Sequence, residues 1–273
     1  MPRNEVDRLI QLSNQLGTYK SDENKYLKEP DCLQTLRLIS KELQNDDSFN
    51  TARQDLFRID IISHDIIHLI SQHVTDGKNF KEKSSQEKLF SVLIRILLNL
   101  TQKTEDCFKE NELEEGGNRN PRIVAAKRFI ELSRRQLKKS FINLHFWQAM
   151  YKKMFELMSE NEDEQNKENE EPDSDEDPFE AQEKLDRQRQ RKLEFERILL
   201  FMRNLLSIQL PEKDQKQVDG NSNLQDELVT VIEEANILKL FLFMVQNEQY
   251  DQWALHILEI LVVIFKNHVS YNF

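Results

Sequence analysis

His64 and His68 stand four positions apart, with Asp65 between them and His73 close by. On a helix such a pair shares a face, and two imidazoles on one face are two ligands of a zinc-type site. A catalytic zinc needs a third ligand at a defined position, and none is visible. The plain reading is therefore histidines on the outer face of an amphipathic helix. No Ser sits in a G-x-S-x-G setting, no glycine-rich phosphate loop is present, and neither Cys32 nor Cys107 has a motif around it. The many carboxylates can be paired arbitrarily. No catalytic, metal-ligating or cofactor-binding residue is assigned, no cofactor is expected, and the chain is expected not to be an enzyme.

Binding chemistry is better represented. Arg119, Arg122, Lys127, Arg128, Arg134, Arg135, Lys138 and Lys139 crowd one stretch, opposed there by Glu131 alone. On a helix these cations could follow the phosphates of duplex DNA without reading its sequence. The competing reading is a solvated face that neutralises acids elsewhere in the chain. Ser174, in D-S-D-E-D, is a candidate site for an acidophilic kinase. Asn99 and Asn204 recur at equivalent places on two apolar segments. In some helical repeats such an Asn grips an extended peptide, but a buried amide bonded to its neighbours is the favoured reading.

The segments that carry these residues read as helices. Phe90–Thr101 (FSVLIRILLNLT) and Phe195–Leu206 (FERILLFMRNLL) look like two copies of one helix, with Phe90 against Phe195 and Leu100 against Leu205. Trp253–Phe265 has a similar apolar density. Helices apolar nearly all round need neighbours on several sides, as in stacked helical repeats. Elsewhere the spacing predicts helices over Val6–Leu16, from Asp31 as N-cap with Gln34 as its box partner, and over Arg53–His73 as one or two. Ser84–Glu87 reads as a capping box opening the first repeated helix. Pro121 sits at the first turn of a helix to about Lys139. Helical spacing continues over Phe141–Met158, Glu180–Ser207, Leu224–Glu234, Ile237–Gln246 and Tyr250–Lys266. No convincing strand is seen.

Composition agrees. The 273 residues are 38% hydrophobic and 32% charged, with only five Gly and six Pro, which argues against α/β folds and their glycine turns. Two cysteines suit a reducing compartment, cytosol or nucleus. No secretory signal is expected from the polar start, and no stretch is long and apolar enough to span a bilayer, so no membrane is expected as a partner. Glu160 to Glu180 holds twelve acids against Lys167 alone, which equals the whole net charge of −11. That window is expected to be a long disordered acidic loop, and the rest of the chain is neutral.

Ordered blocks of sequence resemble the Timeless family. They are KYLKEPDCL (Lys25–Leu33), IIHLISQH (Ile66–His73), LIRILLNLTQ (Leu93–Gln102), ERILLFMRNLL (Glu196–Leu206) and QWALHILEI (Gln252–Ile260). The resemblance runs from about Leu9 to Phe265 and is strongest to the replication-associated animal branch. It implies an all-α fold, an armadillo/HEAT-like right-handed α-solenoid without catalytic activity. It implies a nuclear scaffold of the replication fork protection complex, with a Tipin-like partner protein and replisome components. The roles that follow are fork stabilisation, checkpoint signalling and sister-chromatid cohesion. A circadian-clock or signalling module without DNA binding is the alternative, and no small-molecule substrate is implied. Residues 1–273 are expected to form a single Timeless N-terminal-type helical domain cut at its C-terminal end, because family members are long and the match fades after Phe265. The last helix would then leave apolar residues uncovered, some of Ile260, Val263 and Ile264 among them.

Overall fold

The computed structural model describes residues 3–74, 80–108, 120–168, 178–208 and 223–269. They form eleven α-helices, one short hairpin and a few single turns. The helices are α1 (Arg3–Ser13), α2 (Cys32–Gln44), α3 (Thr51–Arg58), α4 (Ile67–His73), α5 (Phe80–Thr101) and α6 (Pro121–Ser140). They continue with α7 (Leu144–Glu168), α8 (Pro178–Leu206), α9 (Asn223–Glu234), α10 (Ile237–Val245) and α11 (Asp251–Val269).

Packing repeats every third helix. α2 lies on α5, α5 on α8 and α8 on α11, while α3 packs on α6, α6 on α9, and α4 on α7. The two segments that look like copies of one helix, in α5 and α8, are thus direct neighbours. Their shared core contains Phe90, Leu93, Leu97, Phe195, Ile198 and Met202, all buried. Phe141, Phe146, Trp147 and Phe201 add an aromatic cluster in which Phe146 and Trp147 meet edge to face at 5.1 Å. The Trp147 indole N–H donates to the Phe141 carbonyl at 2.8 Å, so its one polar group is satisfied.

Local signals explain most boundaries. Asn120 accepts a bond from the Arg122 amide at 3.0 Å, and Pro121 follows at N1, so α6 starts where the sequence predicts. Asn143 does the same for α7 through the Phe146 amide at 3.1 Å. Asp46 and Asp47 together receive the Thr51, Ala52 and Arg53 amides that open α3. Arg53–His73 is α3, one π-helical stretch (Ile62–Ile66) and α4.

Element boundaries and caps depart from the sequence reading in four places. A hairpin exists where no strand is expected: β1 (Gly17–Lys20) pairs antiparallel with β2 (Lys25–Lys28), Tyr19 opposite Tyr26. Both strands are only four residues long, GTYK and KYLK, so alternation is hard to see; tertiary contacts hold them. A Cβ at Gly17 would overlap the Leu27 carbonyl and the Tyr26 ring, so this position needs glycine. Asp31 is at the N-cap of α2 but its side chain makes no capping bond. Ser84–Glu87 lies inside α5, which begins at Phe80, because good helix formers carry the helix back past the serines. The acidic window does not start as a loop at Glu160: α7 continues to Glu168 and α8 already begins at Pro178. Residues 169–177 and 209–222 lie outside the described residues.

Candidate functional site

The basic stretch of the sequence is α6, and the structure divides its cations. Arg119 lies outside the described residues, as does Ser174. Arg122, Arg128 and Lys139 are exposed, Lys127 and Arg135 half-buried. The Lys127 ammonium is 3.7 Å from the Glu105 carboxylate. Arg134 and Lys138 are only 8% and 5% exposed, which corrects their assignment as phosphate contacts. Their positions continue the inward spacing of Ile130 and Leu137, and both heads are taken up by protein oxygens.

The Arg134 guanidinium donates to the Thr101 carbonyl at 3.0 Å and to the Thr104 hydroxyl at 3.3 Å. The Lys138 ammonium donates to the Ile208 carbonyl at 2.8 Å, to the Leu206 carbonyl at 3.4 Å and to the Gln225 side-chain oxygen. Thr101 ends α5 and Leu206 ends α8, at equivalent positions of the two similar segments. A cation at a helix C-terminus meets unpaired carbonyls and the negative end of the helix dipole. Burial lowers the pKa of Arg134 and pushes that of Lys138 down to about 8. The three oxygens around Lys138 favour its charged form.

The histidines also serve the fold. His64 Nδ1 lies 3.0 Å from the Asp60 carbonyl. His68 is half-buried and stacks on Tyr19 with ring centroids 4.4 Å apart. His73 Nε2 is 2.9 Å from the Tyr26 carbonyl. The Tyr26 hydroxyl donates to the Asp65 carboxylate at 2.5 Å, so these residues lock the hairpin onto the π-helical stretch and α4. Burial raises Asp65 to about 6 and lowers His68. Among the described residues no three His, Cys, Asp or Glu side chains gather as a metal site. Asn99 is spent similarly: its side-chain oxygen accepts from buried Arg53 at 2.7 Å.

The site that sequence reasoning missed is a cleft of about 510 Å³ on α2, α5, α7 and α8. Seven cations line it: Arg37, Lys41, Lys88, Arg95, Lys153, Arg187 and Arg191. Among the described residues two carboxylates do, Glu87 and Glu194. Lys153 is committed to Glu156 at 3.0 Å, and its ammonium lies 5.8 Å from the Phe90 ring centre. Beside the cleft, burial and the neighbouring Arg95 hold Arg197 below its ordinary pKa. The lining comes from segments up to 157 positions apart, Arg37 to Glu194, each locally balanced in charge, so no window of sequence carries the signal. A second hollow of about 810 Å³, between the hairpin, α4 and α7, is lined by amides and rings, with Lys152 and Glu234 as the one cation and one carboxylate among the described residues.

Comparison with known proteins decides the family. The family model described as Timeless protein matches residues 25–270. The chain belongs to the Timeless family. Similar relatives include a human protein timeless homolog, 25% identical over 265 residues, which covers 95% of this chain and 18% of the relative. A mouse protein of the same name is 24% identical over 243 residues, 89% of this chain and 17% of the relative. A Caenorhabditis elegans protein timeless homolog is 21% identical over 260 residues, 93% of this chain and 16% of the relative. This Timeless chain therefore spans under a fifth of the length of these relatives. The match takes in both similar helices, the Arg134–Lys138 pair and the basic cleft. Among the described residues no helix is long and apolar enough to cross a membrane.

Proposed function

We propose that this Timeless-family chain is a non-enzymatic, nuclear scaffold of the replication fork protection complex. It acts with a Tipin-like partner and replisome components in fork stabilisation, checkpoint signalling and sister-chromatid cohesion. The observation that carries this reading is the family match over residues 25–270, which takes in nearly the whole described body. The packing of every third helix, α2 on α5 on α8 on α11, supports a right-handed armadillo/HEAT-like solenoid, a form that offers long surfaces to partners. Exposed Arg122, Arg128 and Lys139 are the α6 groups left for sequence-independent contact with duplex DNA, and Ser174 is kept as a candidate phosphosite. The test is purification of the native chain from S-phase nuclei with its partners identified. Recovery of replisome components with a Tipin-like protein is expected; their absence overturns the reading.

A clock or signalling module without DNA binding is the second reading. The burial of Arg134 and Lys138 favours it, since it removes two cations from the helix that would meet DNA. Affinity for duplex DNA that falls steeply with salt separates the two, because only phosphate contact releases counterions.

A further inference from the structure

The basic cleft has no part in that reading, and its chemistry is specific enough to name an occupant. We propose that it is a docking groove for an extended acidic peptide segment of a partner protein. α5 packs against both α2 and α8, so it runs between them beneath the groove. Packed helices lie roughly 8–10 Å apart and are about 10–12 Å thick with side chains. The axes of α2 and α8 are then two spacings apart, and once one helix thickness is subtracted the gap between their surfaces is about 4–10 Å, which admits one extended chain, while a duplex would meet only its rim.

Charge sets the sign of the occupant. Among the described residues seven cations and two carboxylates line the cleft; Lys153 is paired with Glu156 and Arg187 with Glu183 at 3.2 Å, and Glu194 is itself buried and accepts from Gln190 at 2.9 Å. Arg37, Lys41 and Lys88 are exposed and have no ion-pair partner among the described residues. Four of the seven cations are arginines, whose planar forks match carboxylates in pairs. Ser40, Gln44, Ser91 and Gln190 add the neutral donors and acceptors that a peptide backbone needs, with Val92 and Leu157 as apolar lining. Among the described residues no aromatic ring lines the cleft. Unstacked nucleic-acid bases are held chiefly by stacking on such rings, so a single strand would find charge here but no platform. The cleft is also separate from the exposed cations of α6, which meets the far end of α5. Arg95 is six residues before Thr101, roughly 9 Å along the helix axis.

The test is fluorescence anisotropy on the whole chain at moderate salt, with a labelled peptide of alternating Glu and Ser. A peptide of alternating Gln and Ser is the control; a thymidine oligonucleotide and a short duplex are competitors. Saturable binding of the Glu peptide is expected, with none of the Gln peptide and weak competition from either nucleic acid. Arg37→Glu, Lys88→Glu and Arg187→Glu together should weaken binding about tenfold or more, with the helical circular-dichroism spectrum unchanged. Should that variant not fold, Arg37→Gln, Lys88→Gln and Arg187→Gln together should weaken binding about threefold. Equal binding of the Gln peptide, full affinity in the folded variant, or tighter binding of either nucleic acid at the cleft overturns the proposal. The residues of α6 are untouched in these variants, so loss here is distinct from failure of the DNA reading.

Discussion

Arg134 and Lys138 stand one turn apart on α6 and hold the C-terminal ends of two different helices, α5 through the Thr101 carbonyl and α8 through Leu206 and Ile208. α5 and α8 are the pair whose sequences look like copies of each other. One helix thus fixes the relative axial position of two similar neighbours, which apolar packing alone leaves free to slide. Both carbonyl sets are buried, so water does not replace the donors.

Replacing Lys138 by Met keeps the apolar stem and removes the donor from three oxygens. A loss of about 2–3 kcal/mol is expected, and about 1–3 kcal/mol for Arg134→Met. Urea unfolding of each variant and of the double mutant measures this. The double mutant should deviate from additivity, because both residues act through one helix. Stability within about 0.5 kcal/mol of the parent in Lys138→Met would show that the carbonyls find other partners.

DNA contact by α6 is tested on its exposed residues alone. Arg122→Glu, Arg128→Glu and Lys139→Glu together should weaken binding to any duplex, whatever its sequence. The slope of log affinity against log salt should become shallower by about one for each phosphate no longer neutralised. Thermal stability should stay near that of the parent, because these side chains are exposed. Unchanged affinity removes α6 from any DNA interface.

Asp65 makes stability depend on pH. Burial raises its pKa to about 6, and the carboxyl of an unfolded chain ionises near 3.9. Between those values the native state holds the extra proton, so this contribution is full below about pH 4 and is lost as pH rises through about 6. The expected fall is about 3 kcal/mol. The Tyr26 hydroxyl donates to this carboxyl, and His64 and Cys32 lie close enough to interact with it electrostatically. Asp65→Asn keeps an acceptor for the Tyr26 hydroxyl and should flatten the dependence. Denaturant midpoints of both proteins from pH 4 to 7 check this, and parallel curves would assign the proton elsewhere.

The outer face of α11 is apolar, mostly through residues other than those named from sequence. Ile260 and Ile264 are buried and Val263 is half-buried, whereas Leu255 is 67% exposed and Phe265 62%, with Leu258 and Val262 beside them. Exposed Leu242 and Phe243 of α10 add further apolar surface. The chain should self-associate or bind a hydrophobic dye through this surface. Leu255→Glu and Leu258→Glu should reduce both, with stability changed by no more than about 0.5 kcal/mol. Sedimentation velocity checks the first effect and dye fluorescence the second.

The amino-acid sequence by itself determined the helical class, the start of α6 at Asn120 and Pro121, the apolar character of the two similar segments and the family. Those follow from local capping chemistry, from the 3.6-residue period and from ordered blocks, all of which lie along the chain. Even the burial of Arg134 and Lys138 left a trace, since they continue the inward spacing of Ile130 and Leu137. Charge outweighed that trace, because a cation is buried only when oxygens wait for it, and those oxygens belong to helix ends far along the chain. The hairpin, the corrected face of α11 and the basic cleft were decided by the tertiary structure alone. Strands of four residues are held by what they pack against, and the face of α11 that is buried depends on where α8 lies. Arg37, Lys88 and Arg187 become neighbours only when α2, α5 and α8 stack side by side.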